Sequence, residues 1–316
     1  TRPQERSPSA GVPDRESGES VHAGPAVRKL ARELGVALSM VQGSGPSHRI
    51  LKEDVQQFVK GQLRQPKQVA SVGLQQKALP DFSQFGEVVF EKLSRIRRVS
   101  AKNLEYSWQS IPQVTHFDEA DITDLETFRA GLNGALVPGD VKISPLAFVI
   151  KAVIQALKKY PRFNASIDPG YEHWVVKRFF NIGIAVETPN GLVVPNVKSA
   201  DLQSVATLAR SAAELAELAR NKQLLPAQMQ GTTFTISSLG GIGGTGFTPI
   251  VNSPEVAILG VARTQLLPRY VAGALEPRKI LPLALSYDHR AIDGAEAARF
   301  MVELSRQLSD IRHLAV

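Results

Sequence analysis

The sequence predicts a mixed α/β sandwich rather than a doubly wound sheet. Three observations predict it. Five strand-like apolar runs, at 180–186, 192–197, 232–237, 256–261 and 280–285, succeed one another with only some helices between them. Pro189-Asn190-Gly191 between the first two is a hairpin turn. Helical periodicity is confined to a few long segments, chiefly 146–160, 202–220 and an Ala-rich pattern after Gly294 that runs to Leu308.

In chain order, residues 1–20 hold Pro, Ser, Gly, Glu and Arg with almost nothing apolar and read as a disordered linker. Residues 21–60 form a small compact unit. Pro25 occupies the first position of a helix whose apolar face is Val27, Leu30, Ala31 and Leu34, and Gly35 ends it. Gly43-Ser44-Gly45-Pro46 makes a turn, and a second helix at 51–59 buries Val55, Phe58 and Val59. So few residues make a marginal core, which suits a docking module better than an enzyme. Residues 61–80, rich in Gln, Lys and Pro, read as a flexible linker. Residues 81–316 form one large domain. In it Ser144-Pro145 opens the helix stopped by Pro161, and Asp201 caps the helix from Leu202 to Arg220.

A chain of 316 residues with 43% hydrophobic residues is ample for one large and one small core. No apolar run is long enough to cross a bilayer, since 146–157 carries Lys151. The net charge of +7 has no accompanying stripe of interleaved aromatic and basic residues, so nucleic acid is not the expected partner. The absence of cysteine excludes disulfides, zinc–thiolate sites and a cysteine acyl-enzyme, and fits a cytoplasmic location. The start, without Met or an apolar signal region, reads as a piece cut from something longer.

Ser286-Tyr287-Asp288-His289-Arg290-Ala291-Ile292-Asp293-Gly294 is the most informative segment. It places His289 at a strand-to-loop junction, where a rigid element aims an imidazole into a cleft and acid–base chemistry near neutral pH becomes available. The alternative for His289 is a buried histidine satisfied by backbone. His116, beside Asp118, is the one competitor among the other five histidines, and a structural strand role suits it better.

Several segments together resemble the dihydrolipoamide acyltransferases, the core subunits of 2-oxo acid dehydrogenase complexes. In the large domain these are Arg95-Ile-Arg-Arg98 through Asn103-Leu104, Val114-Thr-His-Phe117, Gly183-Ile-Ala-Val186 through Gly191-Leu-Val-Val-Pro195, Phe234-Thr-Ile-Ser-Ser-Leu-Gly240, Pro254-Glu-Val-Ala-Ile-Leu-Gly260 and Asp288-His-Arg-Ala-Ile-Asp-Gly294. The small unit resembles that family's peripheral-subunit-binding domain in Pro25 to Arg32, Gly43-Ser-Gly45, Arg49-Ile50 and Lys52-Glu-Asp54. That domain usually carries glycine where this chain has His48, and a left-handed backbone there would cost about 1 kcal/mol with a side chain present.

The resemblance implies a chloramphenicol-acetyltransferase-like catalytic domain that moves an acyl group between dihydrolipoamide and coenzyme A. The Thr-Ile-Ser-Ser-Leu-Gly-Gly stretch is most similar to pyruvate-type members, which favours acetyl. His289 is then the general base for the thiol, and Ser237 the donor to the tetrahedral oxyanion. An ordinary strand-end hydroxyl is the alternative for Ser237, with Ser238 beside it. Asp293 either orients the imidazole or pairs with an arginine such as Arg290 and holds the loop. Relatives with asparagine there argue against proton transfer by it. Arg129 is the candidate contact for a coenzyme A phosphate, or else a solvated helix arginine. Gly240-Gly-Ile-Gly-Gly244 lacks the Lys and Ser/Thr of a P-loop and reads as a flexible turn.

Arg28, Lys29, Arg32 and Arg49 fall where the family grips an acidic face of its decarboxylase or of dihydrolipoamide dehydrogenase; a solvated basic face is the alternative. The resemblance also implies homotrimers built into a larger core, with His289 and Ser237 meeting across an interface. The lipoyl group would come from a lipoyl domain absent from this chain. A non-catalytic scaffold subunit and a free acetyltransferase acting on a small acceptor are the alternative classes. The former would tend to lose the histidine or serine, and the latter needs no basic docking helix.

Overall fold

The computed structural model describes residues 22–64 and 78–314; the expectations for 1–20, for most of 61–80 and for the last two residues lie outside them. Two compact units divide at Val88 and Val89.

In the first unit, α1 (Pro25–Glu33) and α2 (Lys52–Arg64) enclose a core of Ala31, Val41, Ile50 and Val55. Leu34 departs from the expected apolar face: it is the C-cap residue and is exposed, because the helix has already ended there. The second helix also runs past the expected end, to Arg64. Asp54 ties the turn to this helix. Its carboxylate accepts from the Ser44 hydroxyl (2.7 Å), the Ser44 amide (3.0 Å) and the Leu51 amide (2.9 Å), and the Ser44 hydroxyl above all holds it below the usual carboxylate range. A side chain at Gly43 would meet the His48 carbonyl at 2.3 Å, so the turn needs glycine there. His48 itself adopts φ +59°, the left-handed region anticipated for this position.

The second unit opens with α3 (Arg95–Ser110), β1 (Gln113–Asp121), α4 (Thr123–Gly134) and α5 (Pro145–Lys159). Next come the short strands β2 (Ala165–Ile167), β3 (Trp174–Val176), β4 (Ile182–Ile184), β5 (Val186–Thr188), β6 (Gly191–Val193) and β7 (Asn196–Val197). The remainder is α6 (Val205–Arg220), β8 (Phe234–Ser238), β9 (Ala257–Val261), β10 (Gln265–Val271), β11 (Ala274–Asp288) and α7 (Gly294–Ser309).

The main sheet is mixed, in the order β1-β11-β9-β8-β4-β7, with β10 paired to β11. Its parallel pairs are β4–β8 and β8–β9; the others are antiparallel. Helices α5, α6 and α7 supply the largest share of a continuous apolar core in which Phe163 and Phe300 stack at 4.1 Å beside Phe234.

Both runs expected around the Pro189–Gly191 hairpin are divided. Only β5 and β6 pair across that turn, while β4 and β7 belong to the main sheet. Pro195, which has no amide hydrogen to donate, lies where the second run breaks. The capping expectation at Asp201 is also corrected. Ser204 caps α6 through the Thr207 amide, a separate turn covers Ala200–Leu202, and Leu202 is 82% exposed. The last expected strand is longer than its apolar stretch: charged and proline-bearing residues 274–279 pair with β10, Pro277 facing Pro268.

Candidate active site

His289 caps the far end of β11. Its amide donates to the Pro112 carbonyl (3.0 Å), and the loop behind it is organised by Asp288, 3% exposed, which accepts from the Arg290 amide and side chain. The amides of Ala291 and Ile292 turn back onto the Asp288 carbonyl, and both side chains are buried. Between these anchors the imidazole stands exposed, 5.8 Å from the Tyr287 ring. It is not a buried histidine satisfied by backbone. Arg290 pairs with Asp288, not with Asp293, and its outer edge donates to the Tyr171 hydroxyl at 2.9 Å. Asp293 is the N-cap of α7, its carboxylate accepting from the Glu296 amide at 2.7 Å. His116 lies in mid-strand on β1, half-buried opposite Leu285.

Ser237 sits near the end of β8, opposite Gly260 of β9. The two-residue period of a strand separates it from Ser238. Ser237 lines a cavity of about 770 Å³, whereas Ser238 lines a second one of about 890 Å³. In the first, one face of α3 (Ile96, Val99, Asn103, Ser107) forms a wall, at the three-to-four residue spacing of a helix. Phe247 also lines it, lying on Gly260 so closely that a Cβ there would meet the ring at 3.0 Å. Most of the lining is apolar. The Gly-rich segment after Ser238 is a turn: Ile242 and Gly243 donate to the Leu239 carbonyl, and Gly243 and Gly244 have φ of +151° and +88°.

The second cavity carries Lys142, Arg220 and Arg263 against a single carboxylate, Glu187. None of the three cations forms an ion pair among the described residues. Sequence reasoning missed them, because they come from three distant segments and no local pattern joins them. Arg129 is not in its lining. Its guanidinium grips Glu126 (2.7 and 2.9 Å) and the Ile143 carbonyl (3.1 Å), so it holds the residue between Lys142 and Ser144, which do line the cavity.

Ser237 and His289 stand at opposite ends of one sheet. Ser237 is level with Gly260, and Gly260 with Ala284, five residues before His289. Two strand spacings across and five residues along give a separation of about 20 Å. In the small unit Arg28, Lys29, Arg32 and Arg49 are all exposed; Lys29 lies 4.0 Å from Glu33, and Arg28 donates to the Ala23 carbonyl.

Residues 86–316 match the model of the 2-oxoacid dehydrogenases acyltransferase (catalytic domain). The chain belongs to this family. Residues 21–56 match the E3 binding domain. The dihydrolipoyllysine-residue acetyltransferase component of the pyruvate dehydrogenase complex of Cupriavidus necator is 50% identical over 309 residues, covering 94% of this chain and 56% of its own length. That of Pseudomonas aeruginosa is 51% identical over 299 residues, covering 93% and 55%. The chain thus spans little more than half the length of these relatives. A crystallographic study of the Azotobacter vinelandii dihydrolipoamide acetyltransferase gives a fold similar at TM-score 0.75 and 46% identity, covering 77% of this chain and all of that one. It concerns a serine, a histidine and an asparagine in that enzyme's catalytic mechanism, and their sequence intervals equal those of Ser237, His289 and Asp293. The mixed α/β architecture expected from the sequence is therefore that of the family's catalytic cores.

Proposed function

We propose that this acyltransferase moves an acetyl group between the thiols of dihydrolipoamide and coenzyme A, in the core of a pyruvate dehydrogenase complex. One observation carries the reading: a half-buried Ser237 faces a largely apolar cavity, while an exposed, rigidly anchored His289 stands about 20 Å away, too far to serve the same site within one chain. A neighbouring subunit supplies the missing half, which makes a ring of subunits, a trimer in this reading, the smallest active form.

In the step itself the imidazole of His289 takes the proton of the attacking thiol. The sulfur forms a bond to the thioester carbonyl carbon, and the carbonyl π electrons move onto oxygen. The Ser237 hydroxyl donates to that oxyanion. Collapse re-forms the carbonyl and expels the second sulfur as thiolate, which recovers the proton from the imidazolium. No covalent enzyme intermediate is required. Asp293 acts through the loop: as the cap of α7 it fixes the chain four residues beyond His289, and asparagine caps helices equally well.

The apolar cavity suits the dihydrolipoyl chain, delivered by a lipoyl domain. The three cations of the second cavity suit the phosphates of coenzyme A, with Arg129 bracing Ile143 beside them. Ala185 lines both cavities, so a long ligand bent around the end of β8 reaches Ser237 from the cationic side. The exposed Arg28, Lys29, Arg32 and Arg49 present a basic face to an acidic surface on the pyruvate decarboxylase or dihydrolipoamide dehydrogenase, in the cytoplasm. No described helix is long and apolar enough to cross a membrane.

The test is acetyl transfer from acetyl-CoA to free dihydrolipoamide. The assembled parent is active, Ser237→Ala loses about 10²–10³ in kcat, and Arg263→Ala raises KM for acetyl-CoA while leaving that for dihydrolipoamide unchanged. An assembled parent that transfers nothing would leave a docking scaffold as the function.

A further inference from the structure

Glu255 is a carboxylic acid with no assigned task. It is 3% exposed, at the close of the turn 250–255 that runs beside the Ser237 cavity. The turn is tied down on several sides. Val251 donates to Gln113 Oε1 (2.9 Å), the Ser166 hydroxyl donates to the Pro254 carbonyl (2.5 Å), and the Glu255 amide donates to the Asn252 carbonyl (2.9 Å). Asn252 Nδ2 donates to Glu255 Oε1 at 2.8 Å. Two of the buried oxygens that lack a hydrogen-bond partner among the described residues meet here: Glu255 Oε2 and the hydroxyl of Thr235, which lies beside the carboxyl. Thr235 stands two residues before Ser237 on the same face of β8, and Thr235, Asn252 and Ser237 all line the cavity.

An ionised carboxylate would leave Oε2 buried without a second donor unless the Thr235 hydroxyl turned toward it. The neutral acid satisfies both oxygens with one bond. Turned toward its neighbour, Oε2–H would donate to Thr235 Oγ1, and the hydroxyl hydrogen of Thr235 would then be free to point into the cavity. We propose that Glu255, held as the neutral acid, is a positioning residue that fixes the Thr235 hydroxyl as a second hydrogen-bond donor in the Ser237 cavity. This rests on the acetyltransferase reading above.

The electrostatics agree. Burial raises the carboxyl to about 7, against the opposing pull of Thr235, Asn252 and Lys177. Lys177 is the charged group whose field reaches it, and its ammonium is occupied by the Ala165 carbonyl (3.0 Å) and the Ser166 hydroxyl (2.8 Å). Because the folded-state value lies above the ordinary one, the proton is present below about pH 7 and leaves as pH rises through it. On ionisation Thr235 turns its hydrogen toward the carboxylate, and the donor into the cavity is lost.

The assembled protein, assayed for kcat in acetyl transfer between pH 6 and 9, shows a descending limb centred near 7. Glu255→Gln, whose amide keeps a donor toward Thr235 at every pH, lacks that limb. Thr235→Val loses the limb too and lowers kcat at pH 6.5 by about tenfold, the equivalent of one hydrogen bond, with KM for acetyl-CoA unchanged. A parent without the limb, a limb that survives in Glu255→Gln, or a Thr235→Val variant with undiminished kcat overturns the assignment and leaves the acetyltransferase reading intact. A parent inactive at all pH values removes both.

Discussion

Separation of Ser237 from His289 makes subunit mixing the most searching test of the site. The strand ladder puts the two residues about 20 Å apart in one chain, and a base must come within about 3 Å of the proton it abstracts. On the proposed reading each site takes its histidine from one subunit and its serine from the next. Alone, His289→Ala is expected to lose about 10²–10⁴ in rate and Ser237→Ala about 10²–10³, so either variant retains about 1% of parental activity at most. When the two are co-expressed in equal amounts, a site finds an intact histidine on one side with a chance of one half, and an intact serine on the other with the same chance. About one quarter of all sites are then complete, whatever the ring size. Mixing two nearly dead proteins should restore about 25% of parental acetyl transfer, a rise of at least roughly twentyfold over either variant. The assay is acetyl-CoA to dihydrolipoamide on the co-purified assembly, with sedimentation confirming that all three preparations assemble alike. Activity that stays at the average of the two single variants would mean that both residues act within one chain, and the two-subunit reasoning would fall.

His48→Gly should stabilise the small unit by about 1 kcal/mol, since glycine adopts φ +59° without the side-chain penalty; urea unfolding of the whole chain, followed through the first unit, reads it, and an unchanged midpoint refutes it. Asp293→Asn should keep both stability and acetyl transfer close to parental, while Asp293→Ala loses about 1 kcal/mol with the cap. Thermal unfolding and kcat separate the cases: a large loss of kcat in the asparagine variant would return Asp293 to a direct charge role on His289.

Periodicity and turn chemistry made α1, α5, α6 and α7 legible, because each carries an apolar stripe and most begin at a Ser, Asp or Pro signal. The same rules failed where strand residues face water. The first half of β11 and all of β10 consist mostly of exposed and half-buried positions and include two prolines, so no apolar run announces them. His289 was visible as a residue at a strand end, and the strand-end position is where it lies. Its distance from Ser237 was not visible, because that depends on β9 intervening between β8 and β11, a long-range pairing that no local pattern encodes. The choice between Ser237 and Ser238 needed only the strand period and the knowledge of which face carries which cavity. The cations Lys142, Arg220 and Arg263 each look like an ordinary surface charge until the fold brings them together.

Movement within one chain cannot substitute for assembly. The His289 loop is held by the Pro112 carbonyl, by the buried Asp288 and by Ala291 and Ile292 in the core. The Ser237 strand is fixed between β4 and β9. To bring the two side chains within 3 Å, β11 would have to leave both β1 and β9 and expose Leu281, Leu283, Leu285 and Tyr287, all at most 3% exposed. Re-exposing side chains of that size costs about 1.5–3 kcal/mol each, which together rivals the whole stability of a domain of about 5–15 kcal/mol. A neighbour's His289, by contrast, would arrive already exposed and already anchored. In the proposed assembly no strand has to move, and a rigid base would meet a rigid donor, the arrangement a thiol exchange without a covalent enzyme intermediate requires.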